Sequence, residues 1–207
     1  MSDVPGLGSA ETISVYMDGP HWVQPVFRFV GDHDVEVAHI TPHPPEKTVV
    51  GQGFSITVNV TVGNLGDIWE TITVTLDAEG LFFGEQVLLV QVVSLPVGEE
   101  QTVEFTWFTE NVVKDNYTLS AHASIVPYDD AVPSNNELIY NGIILVTIPG
   151  DVDGDRSVAV YDIADLTEAY GSSEGDLNYV PNCDIDNDAD VDIFDVVIAV
   201  SNYGESW

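Results

Sequence analysis

The last 58 residues of the chain carry one acidic loop twice, 33 residues apart. The first copy runs Asp151-Val-Asp153-Gly-Asp155-Arg-Ser157-Val-Ala-Val-Tyr161-Asp162, and the second runs Asp184-Ile-Asp186-Asn-Asp188-Ala-Asp190-Val-Asp192-Ile-Phe194-Asp195. Carboxylates stand at loop positions 1, 3, 5 and 12 of both copies. That spacing wraps a short stretch of backbone around one hard cation and closes the shell with a carboxylate from the first turn of a helix. The repetition extends past the loops, because Tyr170-Gly171-Ser172 is answered by Tyr203-Gly204-Glu205. A loop-helix unit duplicated at a fixed period constrains the fold more than any other feature of the chain. It implies two bound Ca²⁺ ions. Mg²⁺ fits less well, since it keeps its water and demands a tight octahedron.

The charge balance bounds the partners. Thirty-five acids face only Arg28, Lys47, Lys114 and Arg156, a net of -31 over 207 residues. Nucleic acid and anionic lipid surfaces repel such a field and are excluded as partners. Two Ca²⁺ ions would offset only four of these charges. Apolar residues make up 44% of the chain, enough for a packed core. Cys183 is the single cysteine, so no disulfide forms within the chain. No apolar run approaches 18 residues, so no membrane span is expected. The start, Met1-Ser-Asp-Val-Pro-Gly, lacks the basic and apolar parts of a signal peptide. Millimolar Ca²⁺ is an extracellular condition, and Asn59-Val-Thr61 and Asn116-Tyr-Thr118 are glycan-acceptor triplets. An extracellular or cell-surface location is expected.

Three segments follow from composition. Residues 1–32 form a leader, with short extended pieces at Thr12–Met17 and Trp22–Val30; Pro25 keeps the second off a central ladder. Residues 33–148 read as strands throughout: Val35–Ile40, Phe54–Val62, Trp69–Leu76, Gln86–Leu95, Gln101–Phe108, Tyr117–Val126 and Ile139–Ile148. Along the second run Phe54, Ile56, Val58, Val60 and Val62 face one way and Ser55, Thr57, Asn59 and Thr61 the other. Seven short strands in about 110 residues favour an immunoglobulin-like antiparallel β-sandwich. Pro149-Gly150 opens the third segment, residues 149–207, where helices are expected after each loop. Ile163, Leu166, Ala169 and Tyr170 make a helical stripe, whereas Val196 to Val200 is apolar all round and needs burial inside the segment or against a partner. The expected fold is therefore mainly β, a sandwich followed by a small α-helical domain.

Two calcium loops, each followed by a helix and neither preceded by one, resemble a dockerin over residues 149–207. The resemblance implies two EF-hand-type units about a pseudo-twofold axis and docking onto a cohesin-like module. It implies backbone-carbonyl ligands from position 7, Ser157 and Asp190, and a water-mediated one from Asp192 at position 9. Ala159 cannot supply the latter, so the second site should be the stronger. The turn glycine expected at position 6 is replaced by Arg156 and Ala189. The partner-contact positions hold Val160-Tyr161 and Ile193-Phe194, with Val197 beside them, apolar where such positions are usually hydroxylic. Residues 33–148 resemble the CARDB family of adhesion-related sandwiches. The carriers are Val49-Val-Gly51-Gln52 before Phe54, Val62-Gly-Asn64-Leu-Gly66, Gly98-Glu-Glu-Gln101 before Val103-Glu-Phe105-Thr-Trp107, and Asp129-Asp130 with Ser134-Asn135-Asn136-Glu137. The combination is similar to archaeal surface proteins.

Other groups are weaker. Asp129, Asp130, Asn135, Asn136 and Glu137 suit either a third Ca²⁺ or a β-turn. His21, His33, His39, His43 and His122 lack metal-ligand spacing, and no hydrolase elbow or phosphate loop occurs. Trp22 and Trp69 suit a sugar surface or ordinary packing, and Trp107 suits the core. Trp207 is expected to close the tail by stacking on Pro149. The functional expectation is a non-catalytic calcium-binding adhesion or assembly protein docking onto a cohesin-like partner. Alternatives are a subunit that assembles with copies of itself into a filament or layer, and a carbohydrate-binding accessory module.

Overall fold

Alternation of apolar and polar side chains builds the larger part of the molecule. In the computed structural model, which describes residues 31–84 and 86–207, nine strands appear. They are β1 (Val35–His43), β2 (Val49–Gly51), β3 (Ser55–Asn64), β4 (Glu70–Gly80), β5 (Gln86–Leu95), β6 (Glu100–Phe108), β7 (Asp115–Ser124), β8 (Glu137–Ile139) and β9 (Ile144–Thr147). The extended pieces expected at Thr12–Met17 and Trp22–Val30, with Trp22 and His21, lie outside the described residues. One sheet has the order β1-β3-β6 and the other β2-β9-β7-β4-β5, with β8 also on β7.

On β3, Ile56, Val58, Val60 and Val62 are fully buried, as the period of two requires, and Ile56 lies opposite Trp107 of β6. Trp107 is a core residue, as expected, and meets Tyr117 edge-on with centroids 5.1 Å apart. On β4 the buried set is Ile72, Val74, Leu76 and Ala78. Two departures from the sequence reading stand out. The run expected at Ile139–Ile148 is split into β8 and β9, and the chain turns at Gly142, where a Cβ would sit 2.4 Å from the Tyr140 ring. The short β2, unforeseen, pairs parallel with β9, so the sandwich is not wholly antiparallel. Three residues are too few to display a period, and their partner lies almost a hundred positions away.

The tail has a small core of its own. Helices α1 (Val160–Ala169) and α2 (Ile193–Ser201) enclose Val152, Val158, Leu166, Ala169, Cys183, Ile185, Val191 and Ala199, together with Ile148 at the end of the sandwich. Phe54 packs against this core and against that of the sandwich. The close seam is also visible in the glycines: a Cβ on Gly150 would meet the α2 backbone at Ala199, 2.5 Å away, and one on Gly51 would meet Pro149 at 2.7 Å.

The duplicated Tyr-Gly motifs join the two halves of the tail. After α1, Gly171 N donates to Val191 O (2.8 Å) and Val191 N to Ser172 O (2.8 Å). After α2, Gly204 N donates to Val158 O (2.8 Å) and Val158 N to Glu205 O (2.9 Å). Each loop is thus paired with the segment leaving the other unit's helix. Gly171 and Gly204 have φ of +81° and +89°, the left-handed conformation that ends a helix cheaply only with glycine. The apolar run of α2 is buried on one side alone. Val196 and Ile198 pack partly into the core, while Ile193, Phe194, Val197 and Val200 face outward.

Candidate metal centre

Each acidic loop folds around its own first aspartate. In the first loop, Asp151 accepts from Gly154 N (2.9 Å) and Arg156 N (3.0 Å), Asp153 from Asp155 N (3.0 Å), and Asp155 from Ser157 N (2.9 Å) and Ser157 Oγ (2.7 Å). The second loop repeats the pattern. Asp184 accepts from Asp188 N (3.1 Å) and Ala189 N (3.1 Å), and Asp188 from Asp190 N (3.1 Å). These turns bend the backbone far enough that positions 4 and 6 become left-handed: Gly154 and Arg156 have φ of 76° and 75°, Asn187 and Ala189 of 64° and 74°. The left-handed turn expected at position 6 is present without glycine, at about 1 kcal/mol of strain per residue.

Position 12 acts as a latch. Asp162 and Asp195 are fully buried. Asp162 Oδ1 accepts from Val152 N (2.8 Å) and Asp153 N (3.3 Å), while its Oδ2 accepts from Ala159 N (2.8 Å). Asp195 does the same with Ile185 N (2.7 Å), Asp186 N (3.4 Å) and Asp192 N (2.8 Å). One carboxylate therefore ties the beginning of each loop to its end and to the start of the helix. Asp192 caps α2 by accepting from Phe194 N (2.7 Å).

The structure brings together three of the four carboxylates expected in each loop. Oxygens of Asp151, Asp153 and Asp155 lie within 4.8 Å of one another, as do those of Asp184, Asp186 and Asp188. Asp162 and Asp195 fall outside these triads and accept from backbone amides. Ser157 and Asp190, at position 7, form single antiparallel bridges with Ser206 and Ser173. Asp129, Asp130 and Glu137 form no such cluster. Asp130 instead accepts from Val35 N (2.9 Å) and Val132 N (2.8 Å), the turn reading of that patch.

The clusters are short of positive charge. Burial, opposed by the Thr147 hydroxyl and backbone amides, holds the Asp151 carboxyl above its ordinary range. Burial raises Asp153 and Asp195 as well. Asp186 is pushed up to about 6 by burial and then by the charges of Asp195, Asp188, Asp184 and Asp192. One buried oxygen, Asp186 Oδ1, has no hydrogen-bond partner. Either triad of hard oxygens could hold a metal ion, and the second also has an orphaned acceptor in Asp186 Oδ1. Burial pushes the Cys183 thiol up to about 12.

Thr147, Tyr179 and Lys47, for which the sequence suggested no role at the loops, join Trp207 in holding the loops in place. Thr147 of β9 donates its hydroxyl to Asp151 Oδ2 (2.5 Å), and Trp207 Nε1 donates to Thr147 Oγ1 (2.9 Å). The chain end does clasp the first loop, with Trp207 N also donating to Arg156 O (3.2 Å), but its indole hydrogen-bonds Thr147 where a stack on Pro149 was expected. The Arg156 guanidinium lies 5.2 Å from the Trp207 ring and 5.9 Å from that of Phe82. At the second loop, Tyr179 donates to Asp184 Oδ2 (2.7 Å), and the buried Lys47 ammonium donates to the Asp184 carbonyl. Burial pushes Lys47 below the ordinary lysine range, while the charges of Asp184, Asp195 and Asp186 draw it back. The signal that could have found Lys47 was its rarity: few bases exist in this chain, and this one precedes an apolar pair.

The residues expected to meet a partner are all at the surface: Val160, Tyr161, Ile193, Phe194 and Val197, with Tyr161 70% and Phe194 62% exposed. Trp69 is also exposed. Asn59 on β3 and Asn116 on β7 are half-buried. Among the described residues, no helix is long and apolar enough to cross a membrane.

No family model matches the chain, and no curated protein matches it. Solved structures do. The CARDB domain of a Pyrococcus furiosus protein, determined in complex with di-metal ions, is 23% identical, with a TM-score of 0.40, over 60% of this chain and 94% of that one. A β-glucosidase of Erythrobacter marinus gives 18% identity and a TM-score of 0.41 over 55% of this chain and 15% of its own. A cycloisomaltooligosaccharide glucanotransferase of Paenibacillus gives 18% and 0.40 over 68% and 18%.

Proposed function

We propose that this chain is a non-catalytic extracellular attachment module, a β-sandwich bearing a dockerin-like tail that binds two Ca²⁺ ions and docks onto a cohesin-like protein. One observation carries the reading: matching positions of the two loop-helix units, Val160-Tyr161 and Ile193-Phe194, present apolar side chains to solvent beside the acidic loops. Apolar groups held outward on rigid helix starts favour a protein partner. The ions would be held by Asp151, Asp153 and Asp155 and by Asp184, Asp186 and Asp188, with carbonyl ligands from Ser157 and Asp190. Asp162 and Asp195 hold the loops in shape and would close each shell. Such loops fill at the Ca²⁺ concentrations found outside cells. Asn59 and Asn116 are the candidate glycan positions in that setting.

Phe194→Asp and Tyr161→Asp test the reading. Binding to a panel of recombinant cohesin modules is measured by calorimetry in Ca²⁺, alongside sedimentation of the chain alone. Loss of binding with unchanged Ca²⁺ uptake is the expected result. Association at undiminished affinity in both variants overturns it.

Assembly of copies of this chain is favoured by a separate observation. Among the described residues, strand β5 is a sheet edge of ten residues, none charged, in a chain of net charge -31. Its Leu88, Val90 and Val92 face solvent. Edge strands of soluble proteins are ordinarily guarded by charge, and an uncharged strip is where two such acidic molecules can meet. A Val90→Lys variant that dissociates a Ca²⁺-dependent oligomer would select this reading over docking through the tail.

A further inference from the structure

Lys47 is 1% exposed and sits just before β2. Its ammonium donates to the carbonyl of Asp184, the first residue of the second loop. Its neighbours are fastened to the same place. Thr48 N and Val49 N donate to Asn182 Oδ1 (2.9 and 3.1 Å), and Asn182 Nδ2 donates to Thr48 Oγ1 (3.3 Å). Residues 47–49 are thus stapled to residues 182–184, and the staple ends in a full positive charge. An isolated buried ammonium is destabilising unless it is paired. The charges that face it are those of Asp184, Asp195 and Asp186. The Asp184 carboxylate is in turn held by Tyr179 (2.7 Å) and by the amides of Asp188 and Ala189.

Among the described residues, the first loop has no such arrangement. Its first aspartate is met by a neutral hydroxyl, that of Thr147. Its nearest base, Arg156, is only partly buried and spreads over the rings of Trp207 and Phe82. The two loops have the same acids at positions 1, 3, 5 and 12, and one of them contains a cation supplied by the sandwich.

We propose that Lys47 is the built-in counter-cation of the second loop: it holds that loop folded and fixed to the sandwich when no divalent ion is bound, and it weakens Ca²⁺ binding there by repulsion. The first loop, with no buried cation among the described residues, is ordered by the metal. Loop folding is then stepwise, with the second loop standing before Ca²⁺ arrives and the first following it. This rests on the calcium reading above, and goes beyond it in assigning a role to a residue outside the loops.

Lys47→Met removes the charge and keeps the straight aliphatic stem. Amide hydrogen exchange of the full chain in chelator should speed up at least tenfold over residues 184–195, and not over residues 151–162. In saturating Ca²⁺ the difference should vanish. Calorimetry in an Asp151→Ala background, where the second loop alone takes up metal, should show Ca²⁺ affinity raised about tenfold by Lys47→Met. The double variant Lys47→Met with Asp186→Asn, which removes one acid together with the base, should recover exchange protection in chelator. Unchanged exchange in the second loop, or a lowered Ca²⁺ affinity, would overturn the proposal. A variant as unfolded in Ca²⁺ as in chelator would assign Lys47 to packing alone and overturn it too. If neither loop takes up Ca²⁺, the calcium reading fails, whereas the exchange measurement in chelator still decides whether Lys47 holds the loop.

Discussion

The first acidic loop is fastened to the sandwich through a carboxylate, and the second through a main-chain carbonyl. Thr147 and, behind it, Trp207 reach Asp151, whereas Lys47 passes the Asp184 side chain and takes its carbonyl, leaving the carboxylate to Tyr179. Both loops have left-handed turns at positions 4 and 6 and an aspartate latch at position 12. A repeated sequence therefore fixed the inside of each loop, while unequal surroundings fixed its charge balance. Duplicated loops with the same acids at positions 1, 3, 5 and 12 can thus differ in what balances their charge.

The largest expected effect comes from removing a whole site. Asp151→Ala and Asp184→Ala should each lower the Ca²⁺ stoichiometry from two to one. A site filled at a thousand times its dissociation constant stabilises the folded chain by about 4 kcal/mol. Calorimetric melts in excess Ca²⁺ should fall accordingly in both variants, and wild-type stoichiometry in either would show that its triad is not a metal centre.

Trp207→Ala comes next and should separate the loops. It removes the hydrogen bond to Thr147 and the guanidinium contact, together worth about 1–2 kcal/mol. Ca²⁺ affinity at the first loop should drop while the second is untouched; equal losses at both would mean that the clasp serves the tail as a whole.

Position 6 offers a finer contrast. Ala189→Gly should stabilise the chain by about 1 kcal/mol, because glycine adopts positive φ without strain. Arg156→Gly gains the same relief and loses the contacts to Phe82 and Trp207, about 0.5–1 kcal/mol each, so its melting temperature should barely move. A larger gain at Arg156 than at Ala189 would break the asymmetry.

Acid provides the smallest and most diagnostic test. Asp186 in the metal-free chain has a carboxyl raised to about 6 from an ordinary 3.8. A raised carboxyl destabilises the folded state when charged, so metal-free stability should rise as pH falls from about 6 towards 4. Ca²⁺ reverses the sign, because the ion binds the charged form and its affinity should fall over the same window. Asp186→Asn should flatten both slopes in the second loop, leaving the smaller part due to Asp195, and a metal-free melt that is flat across this window in the unsubstituted chain would refute the assignment.

Much of this was legible in the chain. The period of two in β3 named its buried face, and the twelve-residue spacing named the two triads. The Tyr-Gly repeats marked a symmetry whose purpose, pairing each loop with the other unit's helix end, appears only in three dimensions. Position 12 was read as a converging carboxylate; amide groups at both ends of the loop also donate to both oxygens of Asp162 and Asp195. No count of spacing can weigh those amides against a cation.

Local pattern decided what depends on near neighbours: strand faces, loop curvature, helix starts, and the acids gathered at two points. Those interactions span a dozen residues or fewer, so their geometry follows from backbone periods. Tertiary structure decided what the acids see. Lys47 lies 137 positions from Asp184, and Thr147 lies 60 from Trp207. Burial turns such distant pairs into strong ones, because a charge removed from water interacts with whatever the fold has placed beside it.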